Sequence, residues 1–109
     1  MTTTNVTVFE SADIRCWHSG DDALILSLKQ PRPSISAAVL AAFEGALAIA
    51  EADFAMLVIG AGQKDFAYGA DLGDAFSAAA AGEPDVLDRA IAHYQQTMLA
   101  LRHARIPTI

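Results

Sequence analysis

The sequence predicts an α/β domain: a β-hairpin, then helix, strand, helix and helix joined by crossover connections. Three observations predict it. Apolar residues alternate with period two near the N-terminus, Met56–Ile59 is a short wholly apolar run, and two longer stretches repeat apolar residues every three or four positions. No internal repeat, linker or low-complexity segment interrupts this order.

Ile14–His18 and Ala23–Leu28 read as the two strands of the hairpin, joined by Ser19-Gly20-Asp21-Asp22, whose glycine and aspartates suit a turn. In the second strand Leu24, Leu26 and Leu28 share one face, and Ile25 and Ser27 the other. Gln30-Pro31-Arg32-Pro33 breaks the pattern, since proline lacks the ladder donor and disfavours helix in the residue before it. A helix capped by Ser34 or Ser36 follows, with Leu40, Phe43, Leu47 and Ala50 as its apolar stripe and an end near Ala52 and Asp53. Met56–Ile59 is apolar on both faces, as a strand covered on both sides must be. A short helix should start near Ala70 or Asp71 and stop at Gly82. Pro84 opens the longest helix, with Leu87, Ile91, Tyr94, Met98 and Leu101 as its buried stripe and Arg102, His103 and Arg105 complementing its C-terminal dipole. Pro107 ends it and should start another strand.

At 109 residues the chain makes at most one small domain, and with 53% apolar residues, alanine foremost, it favours helices and close packing. A net charge of -6 argues against nucleic acid or an anionic membrane as the principal partner, while leaving room for an anionic ligand held by local donors. The lone Cys16 excludes an internal disulfide and a cysteine-rich metal site, and points to a reducing compartment. The polar, uncharged N-terminus carries no signal peptide, and no apolar run reaches the ~18 residues of a membrane span, so a cytoplasmic location is expected.

Among the motifs, Gly60-Ala61-Gly62 after a strand invites a dinucleotide reading, but Asp65 stands where the third glycine would fall and would repel a pyrophosphate. His18, His93 and His103 lack metal-ligand spacing with carboxylates; His93 and His103 lie about 15 Å apart along one helix. Cys16, in a strand, reads as buried and inert, and Asp21-Asp22 as a turn. The segment Phe66-Ala67-Tyr68-Gly69-Ala70-Asp71-Leu72 carries more. Gly69 permits unusual backbone angles and Ala70 follows at the mouth of a helix, where backbone donors and the positive dipole end converge. A bland reading stands beside it, in which Asp71 caps a helix after a tight turn.

That segment, after its strand, resembles the Phe-x-x-Gly-Ala-Asp-Leu/Ile segment of the crotonase (enoyl-CoA hydratase/isomerase) superfamily. The spacing of Leu57–Ile59, Asp65-Phe66 and Met98–Pro107 looks most like the hydratase/isomerase part of bacterial multifunctional fatty-acid oxidation proteins. The resemblance covers Ile14 to Pro107 and implies the crotonase-like spiral of ββα units, of which residues 1–109 would be the incomplete N-terminal part. It further implies an enzyme that adds water across a 2-enoyl-CoA, a thioester substrate, with two glutamates as acid and base, without metal or separate cofactor, in a homotrimer or a dimer of trimers. Carried over residue by residue, the Ala70 N–H would be one of two oxyanion donors, and Tyr68, Gly69, Ala70, Asp71 and Leu72 would line the thioester and the coenzyme A pocket. Arg32 would approach the CoA phosphates, or be a solvated loop arginine. Tyr68 replaces the usual alanine, and Ser34-Ile35-Ser36 stands where Asn-Ala-Leu is usual. The second donor and both glutamates would lie beyond Ile109, so this chain alone is expected to be inactive. Two rivals remain: a non-catalytic CoA-binding or assembly module, and another reaction of the superfamily such as isomerisation or thioester hydrolysis.

Overall fold

The computed structural model describes residues 5–30, 34–61, 67 and 69–109. Seven elements follow in order: β1 (Val6–Glu10), β2 (Ile14–His18), β3 (Ala23–Leu28), α1 (Ala37–Asp53), β4 (Met56–Ala61), α2 (Gly73–Ala80) and α3 (Pro84–Arg102). The strands form one sheet in the order β1-β2-β3-β4, antiparallel through β3, with β4 parallel to β3 across the α1 crossover. Beyond β4 the chain returns at its C-terminus. The Leu57 N–H donates to the Pro107 carbonyl at 3.0 Å and the Ile109 N–H to the Leu57 carbonyl at 2.9 Å, so the strand expected at Pro107 is present as a parallel bridge centred on Thr108.

The hairpin turns where Gly20 takes a φ of 89°, a left-handed conformation that glycine adopts without a Cβ penalty. Its period-two pattern then delivers Ile14 and Cys16 from β2, and Leu24, Leu26 and Leu28 from β3, to one face. Val39, Leu40, Phe43, Ala46, Leu47 and Ala50 of α1 meet them there and, with Leu57, make the core. Each large apolar side chain buried in it contributes about 1.5–3 kcal/mol relative to exposure. The expected cap of α1 is Ser36, whose Oγ accepts from the Val39 N–H at 3.3 Å; the helix ends where the Phe54 N–H reaches the Ala50 carbonyl. The opposite sheet face carries a polar lattice. Arg15 lies 5.0 Å from the Trp17 ring centre, Trp17 Nε1–H donates to Ser27 Oγ at 3.2 Å, and Arg15 Nε–H donates to Thr7 Oγ1 at 3.1 Å.

Three sequence expectations are corrected, and one strand is added. Strand β1 was not foreseen: Val6 and Val8 are exposed, 44% and 39%, and a register shift between Thr7 and Phe9 breaks the alternation that would signal a strand. In β4 only Leu57 is fully buried, because α1 covers one face of the sheet. The stripe of α3 is half-buried rather than buried, with Ile91 38% exposed, because α3 packs on α1 and α2 at the side of the sheet; its one fully buried residue is Thr97. Finally, α2 begins at Gly73 rather than at Ala70 or Asp71, and the residue in its cap position is Leu72, which makes no side-chain cap bond.

Candidate functional site

Gly69 has a φ of 105°, and an ideal Cβ built on it meets nothing within 4 Å, so the requirement for glycine here is conformational rather than steric. The turn sets Ala70 beside Ile35, in the segment that precedes α1. The Ile35 N–H donates to the Gly69 carbonyl at 2.8 Å, and the Asp71 N–H donates to the Ile35 carbonyl at 2.9 Å, forming a parallel bridge between Ile35 and Ala70. A trans peptide is planar, with its C=O and N–H pointing in opposite directions. Because the Gly69 carbonyl points at Ile35, the Ala70 N–H points away from it. Among the described residues nothing accepts from that N–H.

The start of α2 is a separate feature three residues on. Asp71 Oδ1 accepts from the Gly73 N–H at 3.3 Å, so Asp71 closes a local turn instead of capping the helix, and Asp74 occupies the first helical turn. Two carboxylates thus answer the positive end of α2, and the expected convergence of helix dipole and Ala70 donor does not occur. Asp71, Leu72 and Asp74 form one wall of a cleft of about 340 Å³, whose other walls are Ser36, Ala37 and Ala38 at the start of α1 and Val86 and Ala90 of α3. An apolar groove of about 300 Å³ lies elsewhere, between Ile35, Phe43 and Ile59 on one side and Met98, Leu101 and Thr108 on the other. Of the residues singled out from the sequence, Gly69, Ala70, Asp71 and Leu72 are brought together; Arg32, Phe66 and Tyr68 lie outside the described residues.

Several other titratable groups are engaged in holding the fold. Glu44 of α1 accepts from Thr97 Oγ1 at 2.7 Å and contacts His93 Nε2 at 2.8 Å; the Thr97 hydroxyl, then His93, hold its carboxyl below the usual range. Sequence reasoning missed this cluster, whose members are 49 and 53 residues apart and meet only when α3 packs on α1. Glu51 is held low by Arg105 and Glu10 by Lys29. His18 Nδ1 accepts from the Gly20 N–H at 3.1 Å, and the ring packs on Phe54. Cys16 is fully buried, and loss of hydration pushes its thiol up to about 11. Among the described residues no group of His, Cys, Asp and Glu could hold a metal ion, and no helix is long and apolar enough to cross a membrane.

No protein-family model and no curated protein matches the chain. Solved structures do. An enoyl-CoA hydratase/isomerase family protein from Silicibacter pomeroyi is similar with 28% identity and a TM-score of 0.67 over 80% of this chain and 36% of its own. An enoyl-CoA hydratase/isomerase from Xanthobacter autotrophicus Py2 is similar with 18% identity and a TM-score of 0.74 over 91% and 38%. Human enoyl Coenzyme A hydratase domain-containing protein 3 is similar with 17% identity and a TM-score of 0.71 over 88% and 38%. The chain therefore has the crotonase-type α/β fold over part of its extent, as the sequence resemblance implied, and spans less than two-fifths of the length of these structures.

Proposed function

We propose that this chain is part of an enzyme of the enoyl-CoA hydratase/isomerase type that acts on acyl-CoA thioesters, and that the Ala70 N–H is one of its two oxyanion donors. The observation that supports the reading is the Ala70 N–H, which points away from the bridge that fixes its peptide and has no partner among the described residues, in a chain with the crotonase-type fold. Addition of water to a 2-enoyl thioester puts negative charge on the thioester oxygen, and a preorganised donor stabilises that charge without reorganising. Gly69 lets the backbone turn so that the Ala70 N–H is presented to the ligand, while Asp71 and Leu72 border the pocket in which the thioester and its pantetheine arm lie. The carboxylates of Asp71 and Asp74 direct the CoA phosphates away from the start of α2. Arg32 is the candidate for meeting those phosphates, and Tyr68 for shaping the acyl entrance. The second donor and the acid–base glutamates are supplied from outside residues 1–109; Glu10, Glu44 and Glu51 are each committed to a pairing of their own, and Glu83 stands at the cap position of α3.

The experiment replaces the Ala70 amide by an ester in the full-length protein, which deletes the N–H and leaves the side chain in place. Hydration of crotonyl-CoA should fall by about 10² to 10³ fold, the usual cost of one oxyanion donor, while CoA binding and melting temperature persist. Unchanged turnover would remove Ala70 from the reaction. A wild-type protein that binds CoA and turns over no enoyl thioester would favour the binding-module reading instead.

A further inference from the structure

The direction of the Ala70 N–H is the whole of its usefulness, and the structure shows what holds it. Among the described residues no atom lies within 4 Å of where a Gly69 Cβ would stand, and α2 starts too late to constrain the peptide before Ala70. The Asp71 carboxylate ties down Gly73, downstream of the donor. Among the described residues, what holds it is the pair of bonds to Ile35, at 2.8 Å from its N–H and 2.9 Å to its carbonyl, which grip the peptide on either side of Ala70. Ile35 is itself anchored. Its side chain is 7% exposed and belongs to the core cluster, and the next residue is the Ser36 cap of the 17-residue helix α1.

We propose that Ile35 is a positioning residue: its backbone N–H and carbonyl, held by the core and by the capped start of α1, act as the template that turns the Ala70 N–H toward the thioester oxygen. The inference rests on the oxyanion reading of Ala70. Ile35 touches no reacting atom, and its side chain serves only to seat the backbone. Turning the Gly69–Ala70 peptide over would break the 2.8 Å bond, swing the Gly69 carbonyl away and leave the Ile35 N–H facing the Ala70 N–H with no acceptor. Retaining the bond fixes the plane, and the plane fixes the donor.

Backbone substitution separates this role from packing. In the full-length protein Ile35 is replaced by its 2-hydroxy acid analogue, which removes the N–H that grips the Gly69 carbonyl and keeps the side chain. A second variant carries an ester at Ser36, which makes the Ile35 carbonyl a poorer acceptor, and Ile35→Val trims the side chain with both backbone groups intact. The probe is butyryl-CoA carrying ¹³C at the thioester carbonyl, a saturated ligand whose stretching band falls in frequency when its oxygen accepts hydrogen bonds. The ester at Ile35 should lose part of that fall and broaden the band. Its turnover of crotonyl-CoA should drop about 10- to 100-fold, the range expected for a misplaced group, with KM within about two-fold of wild type. The ester at Ser36 should show a smaller change of the same sign. Ile35→Val should lower melting temperature and leave the band in place. If Ile35→Val moves the band as far as the ester at Ile35, packing is the role and the proposal is overturned. If the Ala70 ester shifts the band and neither the Ile35 nor the Ser36 ester does, positioning by Ile35 fails while the oxyanion reading stands. If the Ala70 ester leaves the band unchanged, the oxyanion reading itself fails.

Discussion

Replacing Thr97 by valine should loosen the seam between α1 and α3, and by more at neutral pH than in acid. The residue is 1% exposed, and its hydroxyl lies 2.7 Å from Glu44 Oε1 and 2.8 Å from the His93 carbonyl, one proton shared between two acceptors. A hydrogen bond to a charged group is worth about 1.5–3 kcal/mol net. The Glu44 side chain is 48% exposed and can take up water when Thr97 lets go, and valine fills the space of threonine, so the expected loss is nearer 1 kcal/mol. Glu44 is held below its usual range when folded. A depressed carboxyl contributes stability above its unfolded value, about 4.5, and loses that contribution as pH falls through its folded value. Once protonated, Glu44 no longer gives Thr97 a charged acceptor, so the gap between wild type and Thr97→Val should narrow as pH falls through the lowered folded value of Glu44. The His93 contact is present in both proteins and cancels in the difference. Urea unfolding at pH 7 and at about pH 3.5 measures both gaps, with Thr97→Ser, which keeps the hydroxyl, as the control. Equal gaps at the two pH values, or a loss under about 0.3 kcal/mol at pH 7, would refute the reasoning, since a charge-assisted bond must exceed ordinary surface effects.

At the candidate site, Gly69→Val forces a β-branched residue to a φ of 105° and should cost about 1–3 kcal/mol of local strain, relieved by turning the Ala70 peptide. Turnover of crotonyl-CoA should be lost without global unfolding, and near-wild-type hydration would sink the site assignment. Cys16, buried with its thiol pushed up to about 11, should resist a thiol-reactive disulfide reagent at pH 8 in the native chain and react once urea unfolds it. Native reaction at the rate of a free thiol would contradict its burial.

Where local chemistry decides the backbone, the chain announces itself. The hairpin of β2 and β3 follows from the Leu24, Leu26, Leu28 alternation and the glycine turn, and Ser36 and Pro84 mark helix starts as their side chains require. What depends on packing partners far along the chain does not. Val6 and Val8 face solvent on an edge strand, so no apolar face betrays β1. The α3 residue buried most deeply is a threonine, burial made possible by Glu44, which lies in another helix. For the site, the glycine turn and the order strand–loop–helix were legible from Gly69 and its flanks. The start of α2 was not, because Leu72 occupies the cap position without a capping side chain, and the sequence favours Asp71 one residue earlier. The bridge to Ile35 was invisible for the same reason as β1: a single pairing between segments 35 residues apart leaves no periodicity.

The bridge also bears on how this region can diversify. In the proposed arrangement the Ala70 peptide is oriented from the Ile35 side, and the described residues between Leu72 and Pro84 make no hydrogen bond to it. Helix α2 can be lengthened, shortened or replaced by a loop, and the surface over the cleft remodelled with it, while the donor keeps its aim. On the proposed role of Ala70, the surface over the cleft can be exchanged without moving the donor, whereas a change just before α1, remote in the chain, would move the donor first.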